Sequence, residues 1–229
     1  MLARIQPHAI TLHGPTVDEG TVTPIASAPR HPKALSPMLA RLTLETKRHH
    51  APIEELLLDA IASPSVSSYR HLLARLYGFD APLASRLLST TGLDASFLVP
   101  RIRAAWIASD LLGLGLSRAE GAMLLRRHEI PAFSSGAQAL GWLYVSERVT
   151  LRHDLIRAKI RSAIPEVLET AGDYLGSTQH RAQHGWAGLG AALDRAAYCE
   201  IAAQEIIKGA HAAFESQHAW LASTPFDGF

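Results

Sequence analysis

The stretch Leu42-Thr-Leu-Glu-Thr-Lys-Arg-His-His-Ala-Pro-Ile-Glu54 sets the reading of this chain. It places Thr46, Lys47, His50 and Glu54 at helical spacing. His50 and Glu54 are four residues apart, so they share one helix face. A neutral imidazole is a good iron ligand, and a carboxylate one turn away can orient it directly or through water.

Outward from this stretch the pattern stays helical. Ser36-Pro37 fits an N-cap followed by proline at the first helical position. A first helix is expected from there to about Ala62, with a break near Pro52. Ser63-Pro64-Ser65 reads as a turn. The helix after it is expected to run to about Thr91, with Tyr69, Leu72, Leu73, Leu76 and Phe79 on one face and Gly78 and Pro82 as bending points. Further helices are expected over 100–113, from the capping box Ser117-Arg-Ala-Glu120 to about Ile130, and over Ser134 to about Ala163. A shorter one opens at Pro165, and Trp186 to Ala222 is mostly helical with a break near Asp194. No strand alternation and no fixed repeat is present. The expectation is an all-α, single-domain protein of seven to nine helices.

The flanks differ from this body. Residues 1–35 hold Pro7, Pro15, Pro24, Pro29 and Pro32 without helical periodicity, which reads as a loosely docked N-terminal tail. The helical domain is expected over 36–223, with 224–229 as a C-terminal tail. A hydrophobic fraction of 48% is ample for a core. A net charge of +1 without a long basic run argues against a nucleic-acid binder. One cysteine, Cys199, excludes an internal disulfide and suits a reducing compartment. Its apolar surroundings read as a small core residue. No apolar run is long enough to span a membrane, and the N-terminus lacks the pattern of a secretory signal, so a cytoplasmic protein is expected.

The pattern Leu-x-x-x-Thr-Lys-x-x-His-x-x-x-Glu over residues 42–54 resembles the proximal helix of heme oxygenases. Four further segments extend the likeness. Tyr69-Arg-His-Leu-Leu-Ala-Arg-Leu-Tyr-Gly-Phe79 is similar to the second long helix of the bacterial members, especially those encoded beside bacteriophytochromes. Arg101 to Gly113 is similar to the next helix, and Ala139-Leu-Gly-Trp-Leu-Tyr-Val-Ser-Glu147 matches Ala-Leu-Gly-x-Leu-Tyr-Val-x-Glu. Trp186 to Asp194 and Ile206 to Leu221 resemble the closing helices. The order and spacing of these segments over Leu42–Leu221 carry more weight than any one of them.

The resemblance implies a heme-binding protein. If active, it would use dioxygen and electrons to cleave heme to biliverdin, carbon monoxide and iron. His50 would hold the iron and Glu54 would orient His50. Lys47 and Lys208 are candidates for the heme propionates, Tyr144 stands before the distal segment, and Phe214 matches a pocket wall. An electron-donating reductase and a bacteriophytochrome are the implied partners.

The chain departs from the family in its distal segment. Members continue after Tyr-Val-x-Glu with Gly-Ser/Ala-Thr-Leu-Gly-Gly, where residues without Cβ let the helix kink close over heme. Here the stretch reads Arg148-Val-Thr-Leu-Arg-His153. On an unaltered backbone, Arg152 and His153 project into or against the heme volume, and Val149 replaces a polar residue of the distal water network. Three outcomes follow. The helix straightens and the pocket is filled without heme; or heme binds with His153 as a sixth iron ligand; or the helix stands further off and an altered active site survives. The alternative to a heme enzyme is therefore an inactive binding or regulatory protein whose distal pocket is filled by Arg152 and His153.

Other chemistry finds less support. His49 is expected to point about 100° away from His50, a poor substitute ligand. His180 and His184 have i, i+4 metal-ligand spacing but lack the adjoining Glu of His-Glu-x-x-His. Neither the repeated Glu-x-x-His contributions of a di-iron bundle nor a Gly-x-Ser-x-Gly motif occurs.

Overall fold

The computed structural model describes residues 36–124, 129–177 and 182–223, without the side chains of residues 124 and 182–184. Both expected tails lie outside them. The described residues form helices and no strand: α1 (Pro37–Glu45), α2 (His50–Asp59), α3 (Val66–Leu88), α4 (Ala95–Leu98), α5 (Ala104–Gly113), α6 (Arg118–Leu124), α7 (Gly136–Val149), α8 (His153–Ala163), α9 (Val167–Thr170), α10 (Asp173–Gly176), α11 (Ala182–Ala196) and α12 (Glu200–Ala222). The all-α expectation holds. The helices number twelve among the described residues, because several expected single helices are broken.

Local chemistry explains most boundaries. The Ser36 hydroxyl accepts from the Leu39 N–H, and Pro37 occupies the first turn. Ser65 and Ser68 cap α3 reciprocally. Ser117 and Glu120 do the same before α6: the Ser117 N–H donates to Glu120 at 2.7 Å, and the Glu120 N–H to the Ser117 hydroxyl at 3.2 Å. The expected first helix breaks earlier than Pro52, at a 3-10 turn over Lys47–His49. Pro82, by contrast, lies inside the uninterrupted α3.

At the centre α7 crosses α12. A Cβ added at Gly141 would stand 2.1 Å from the Ile206 carbonyl oxygen, and one at Gly209 would stand 2.2 Å from that of Gln138. Only glycine permits the two backbones to meet so closely. Around this crossing Trp142, Tyr144, Ile206, Ala210 and Phe214 are fully buried. Cys199 is a correction to the sequence reading. It precedes α12 and is exposed together with Tyr198 and Ile201, while Ala202 and Ala203 turn inward.

Gly141→Ala should therefore lower stability by about 3 kcal/mol, a fall in Tm of roughly 6–12 °C for a chain of this size. Gly185→Ala, which meets no atom within 4 Å, should cost nothing. Thermal melts of both variants check this; equal losses would contradict the close crossing.

Candidate functional site

The 3-10 turn Lys47–His49 resets the chain so that His50 becomes the first residue of α2. The His50 Nε2 lies 3.0 Å from the hydroxyl of the buried Thr46, which itself donates to the Leu42 carbonyl at 2.7 Å. The hydroxyl's single proton goes to that carbonyl, so Nε2–H of His50 donates to Thr46. Its ring lies 5.6 Å from that of Phe214 on α12. Burial, then the nearby Arg148, lowers the His50 pKa to about 4, so the imidazole is neutral at pH 7.

Glu54, one turn on, does not serve His50 as its hydrogen-bond partner. Its carboxylate faces α7 and the turn beyond it. Arg148 Nη2 stands 3.6 Å from one oxygen, and Arg152 Nη2 is in direct contact with the other. Arg148 and Arg152 are four residues apart and project from one side, which lets both reach one carboxylate. These pairs bridge a cleft lined by His50, Ile53, Leu57, Val145, Val149, Phe214 and Gln217. The free space in it is about 10 Å³. That is about what one water occupies, against roughly 300–1,000 Å³ for a small-molecule site.

The segment after Glu147 is interrupted without any glycine. α7 ends at Val149, a 3-10 turn covers Thr150–Arg152, and α8 begins at His153. The Thr150 hydroxyl donates to the Glu147 carbonyl at 2.7 Å, satisfying an oxygen at the break. One continuous helix is thus not what forms: a 3-10 turn separates α7 from α8, and the Arg148 and Arg152 side chains line the cleft.

His153 is not brought to the cleft. It shares the buried face of α8 with Ile156 and Ile160. Its ring packs edge-on against Tyr174 at 4.4 Å. Of the two residues expected against the heme volume, only Arg152 lines the cleft. Tyr144 is buried beside the cleft, 3.5 Å from the Thr43 hydroxyl and edge-on to Phe214 and Trp186. Lys47 is exposed. Lys208 is also exposed, near Glu205 at 3.8 Å, and is not among the residues lining the cleft. The pair His180 and His184 lies outside the described side chains.

Behind α7 lies a buried polar set that the sequence reading did not single out. Glu147 accepts from Arg103 at 2.7 Å and lies 3.7 Å from Arg101. The Ser146 hydroxyl donates to Asp80 on α3 at 2.9 Å. Asp110 on α5 accepts from the Asp173 and Tyr174 backbone N–H groups, both at 3.0 Å, and so holds α10. Burial raises the carboxyls of Asp80 and Asp110 to about 6. The available signal was an acid inside an apolar helical face, as in Gly78-Phe-Asp-Ala81 and Ala108-Ser-Asp-Leu111.

His50 at the start of α2, the broken helix after Val149 and the close glycine crossing lie together in one all-α domain. The sequence model of the family described as Heme oxygenase matches residues 36–223, and the chain belongs to that family. No curated protein matches it.

Burial lowers His153 to about 3 from its ordinary 6.5. Its contribution to stability is complete above pH 6.5 and is lost as pH falls toward 3. Asp80 and Asp110, raised above 3.8, act in the opposite sense: their contribution is complete below 3.8 and lost as pH rises through about 6. The effect of His153 is therefore isolated by comparing wild type with His153→Gln. The wild type should lose up to about 1.4 kcal/mol more per pH unit between pH 6 and 4. Parallel denaturation curves across this range would show that His153 is not buried in neutral form.

Proposed function

We propose that this chain is a non-catalytic member of the heme oxygenase family, a binding or regulatory protein whose distal pocket is filled by Arg148 and Arg152. The observation that carries this reading is the ion-pair bridge from Glu54 to both arginines across the cleft beside His50. A space of about 10 Å³ does not fit a heme. The intended orienting carboxylate is spent on the arginines, and the His50 Nε2 faces Thr46.

Magnitudes show what the bridge does. Partly exposed ion pairs are worth roughly 0.5–1 kcal/mol each, so the bridge alone would weaken a ligand by only about tenfold. The stronger obstacle is volume. Two arginine side chains stand where the family's glycines leave room for heme and dioxygen. A heme that displaced them from Glu54 would still face them on its distal side.

A second reading, a heme protein using His50 as iron ligand, draws on one observation. The low pKa of His50 keeps its imidazole in the form a metal needs, with its ring placed against Phe214. Heme cleavage to biliverdin, a reductase and a bacteriophytochrome partner belong to that reading.

The two separate on substitution. Replacing Arg148 and Arg152 together by Gly should strengthen hemin binding at least tenfold, seen as a saturable Soret band, and His50→Ala in that background should abolish the gain. Equal affinity with and without the arginines would contradict the filled-pocket reading.

A further inference from the structure

Gln217 of α12 is 1% exposed and lines the cleft beside His50, yet its side-chain Oε1 has no hydrogen-bond partner among the described residues. Its companions on the buried face of α12 are Ala210, Ala213, Phe214, Trp220 and Leu221. An amide in such a stripe is less favourable than an apolar side chain of the same shape unless something donates to it. Two other polar groups of the cleft have hydrogen-bonding capacity to spare. The His50 Nε2–H is turned to Thr46 at 3.0 Å, which leaves Nδ1 as the one lone pair of the ring. The Arg148 guanidinium meets Glu54 through Nη2 at 3.6 Å, which leaves its other N–H groups to donate. The aromatic wall is held in place: the Phe214 ring lies 5.6 Å from that of His50 and stacks on His49 at 5.3 Å, and His49 Nε2 pairs with His211 Nδ1 at 2.9 Å. The free space among these groups, about 10 Å³, is that of one water.

We propose that the cleft is a binding site for one ordered water that bridges Gln217, His50 and Arg148. Its two protons go to Gln217 Oε1 and His50 Nδ1, and its oxygen accepts from the Arg148 guanidinium. About three hydrogen bonds are the usual complement of a buried water. The bridge satisfies the orphaned amide oxygen. It also occupies the lone pair of His50 that a metal would use, and it ties Arg148 to α12 as Glu54 ties it to α2. A ligand entering the cleft must displace this water and bring Gln217 a donor of its own, which an apolar molecule does not do. The cleft is therefore selective for small neutral hydrogen-bond donors. The water's place exists only with the arginines inside the cleft, so the assignment rests on the filled-pocket reading.

The test is a crystal structure of the full, heme-free chain at a resolution that shows ordered water, with thermal melts of Gln217→Met beside it. The expected result is one water within about 2.7–3.2 Å of Gln217 Oε1, His50 Nδ1 and an Arg148 nitrogen. Gln217→Met keeps the shape and removes the acceptor, so it should lose the water and lower Tm by about 2–4 °C. A dry, unpartnered amide gives the opposite sign, because replacing it by an apolar side chain relieves the cost of its burial. The proposal is overturned if no water stands at Gln217, if Arg148 donates to Gln217 directly, or if Gln217→Met melts higher than the unmodified chain. The hemin titration reads the filled pocket and the crystal reads the water, so the two readings fail separately.

Discussion

The close crossing of α7 and α12 is the constraint on which the rest depends. Gly141 and Gly209 each meet a backbone carbonyl of the other helix, so the two axes can neither separate nor slide without loss. That contact puts Tyr144 and Arg148 of α7 beside Phe214 and Gln217 of α12. It also carries the outer face of α12, with His211 and Glu215, to the turn that holds His49. The cleft and the His49–His211 pair are both consequences of one helix pair.

A second set of interactions fixes how α7 is rotated. Glu147 is held by Arg103, and Ser146 by Asp80, on the buried side. Neighbouring residues on a helix point about 100° apart. With Glu147 turned inward to its arginines, Arg148 is turned toward α2 and meets Glu54. Buried pairs of this kind recover little net stability after desolvation. Their consequence here is registry. The orientation of the distal helix is set by charges behind it, and the cleft inherits that orientation.

The fold was legible in the sequence because caps, turn residues and helical periodicity agree along most of the chain. Ser36-Pro37 and the Ser117–Glu120 box each cap a helix as read, and Ser65, read as part of a turn, caps α3. The breaks at Thr46–His49 and Thr150–Arg152 were less legible. Both lie in helix-compatible sequence, and each is stabilised by a threonine hydroxyl bonded to a preceding carbonyl. The absent glycines raised the question of a straighter helix, but not the 3-10 turn at Thr150–Arg152 that separates α7 from α8. Periodicity alone also could not tell that His153 joins Ile156 and Ile160 on the buried face of α8 while Arg152 faces the cleft. The pairing of His49 with His211 was hidden by 162 residues of sequence separation. His49 is not among the residues lining the cleft; its ring stacks on Phe214 and pairs with His211.

The central claim is that the Arg148 and Arg152 side chains, drawn to Glu54, fill the cleft beside His50 against heme and dioxygen chemistry. The most direct measurement is optical titration of the unmodified chain with hemin, followed by a reductant under air. The account predicts no tight one-to-one Soret band and no biliverdin. A saturable band that gives way to a biliverdin spectrum would contradict it.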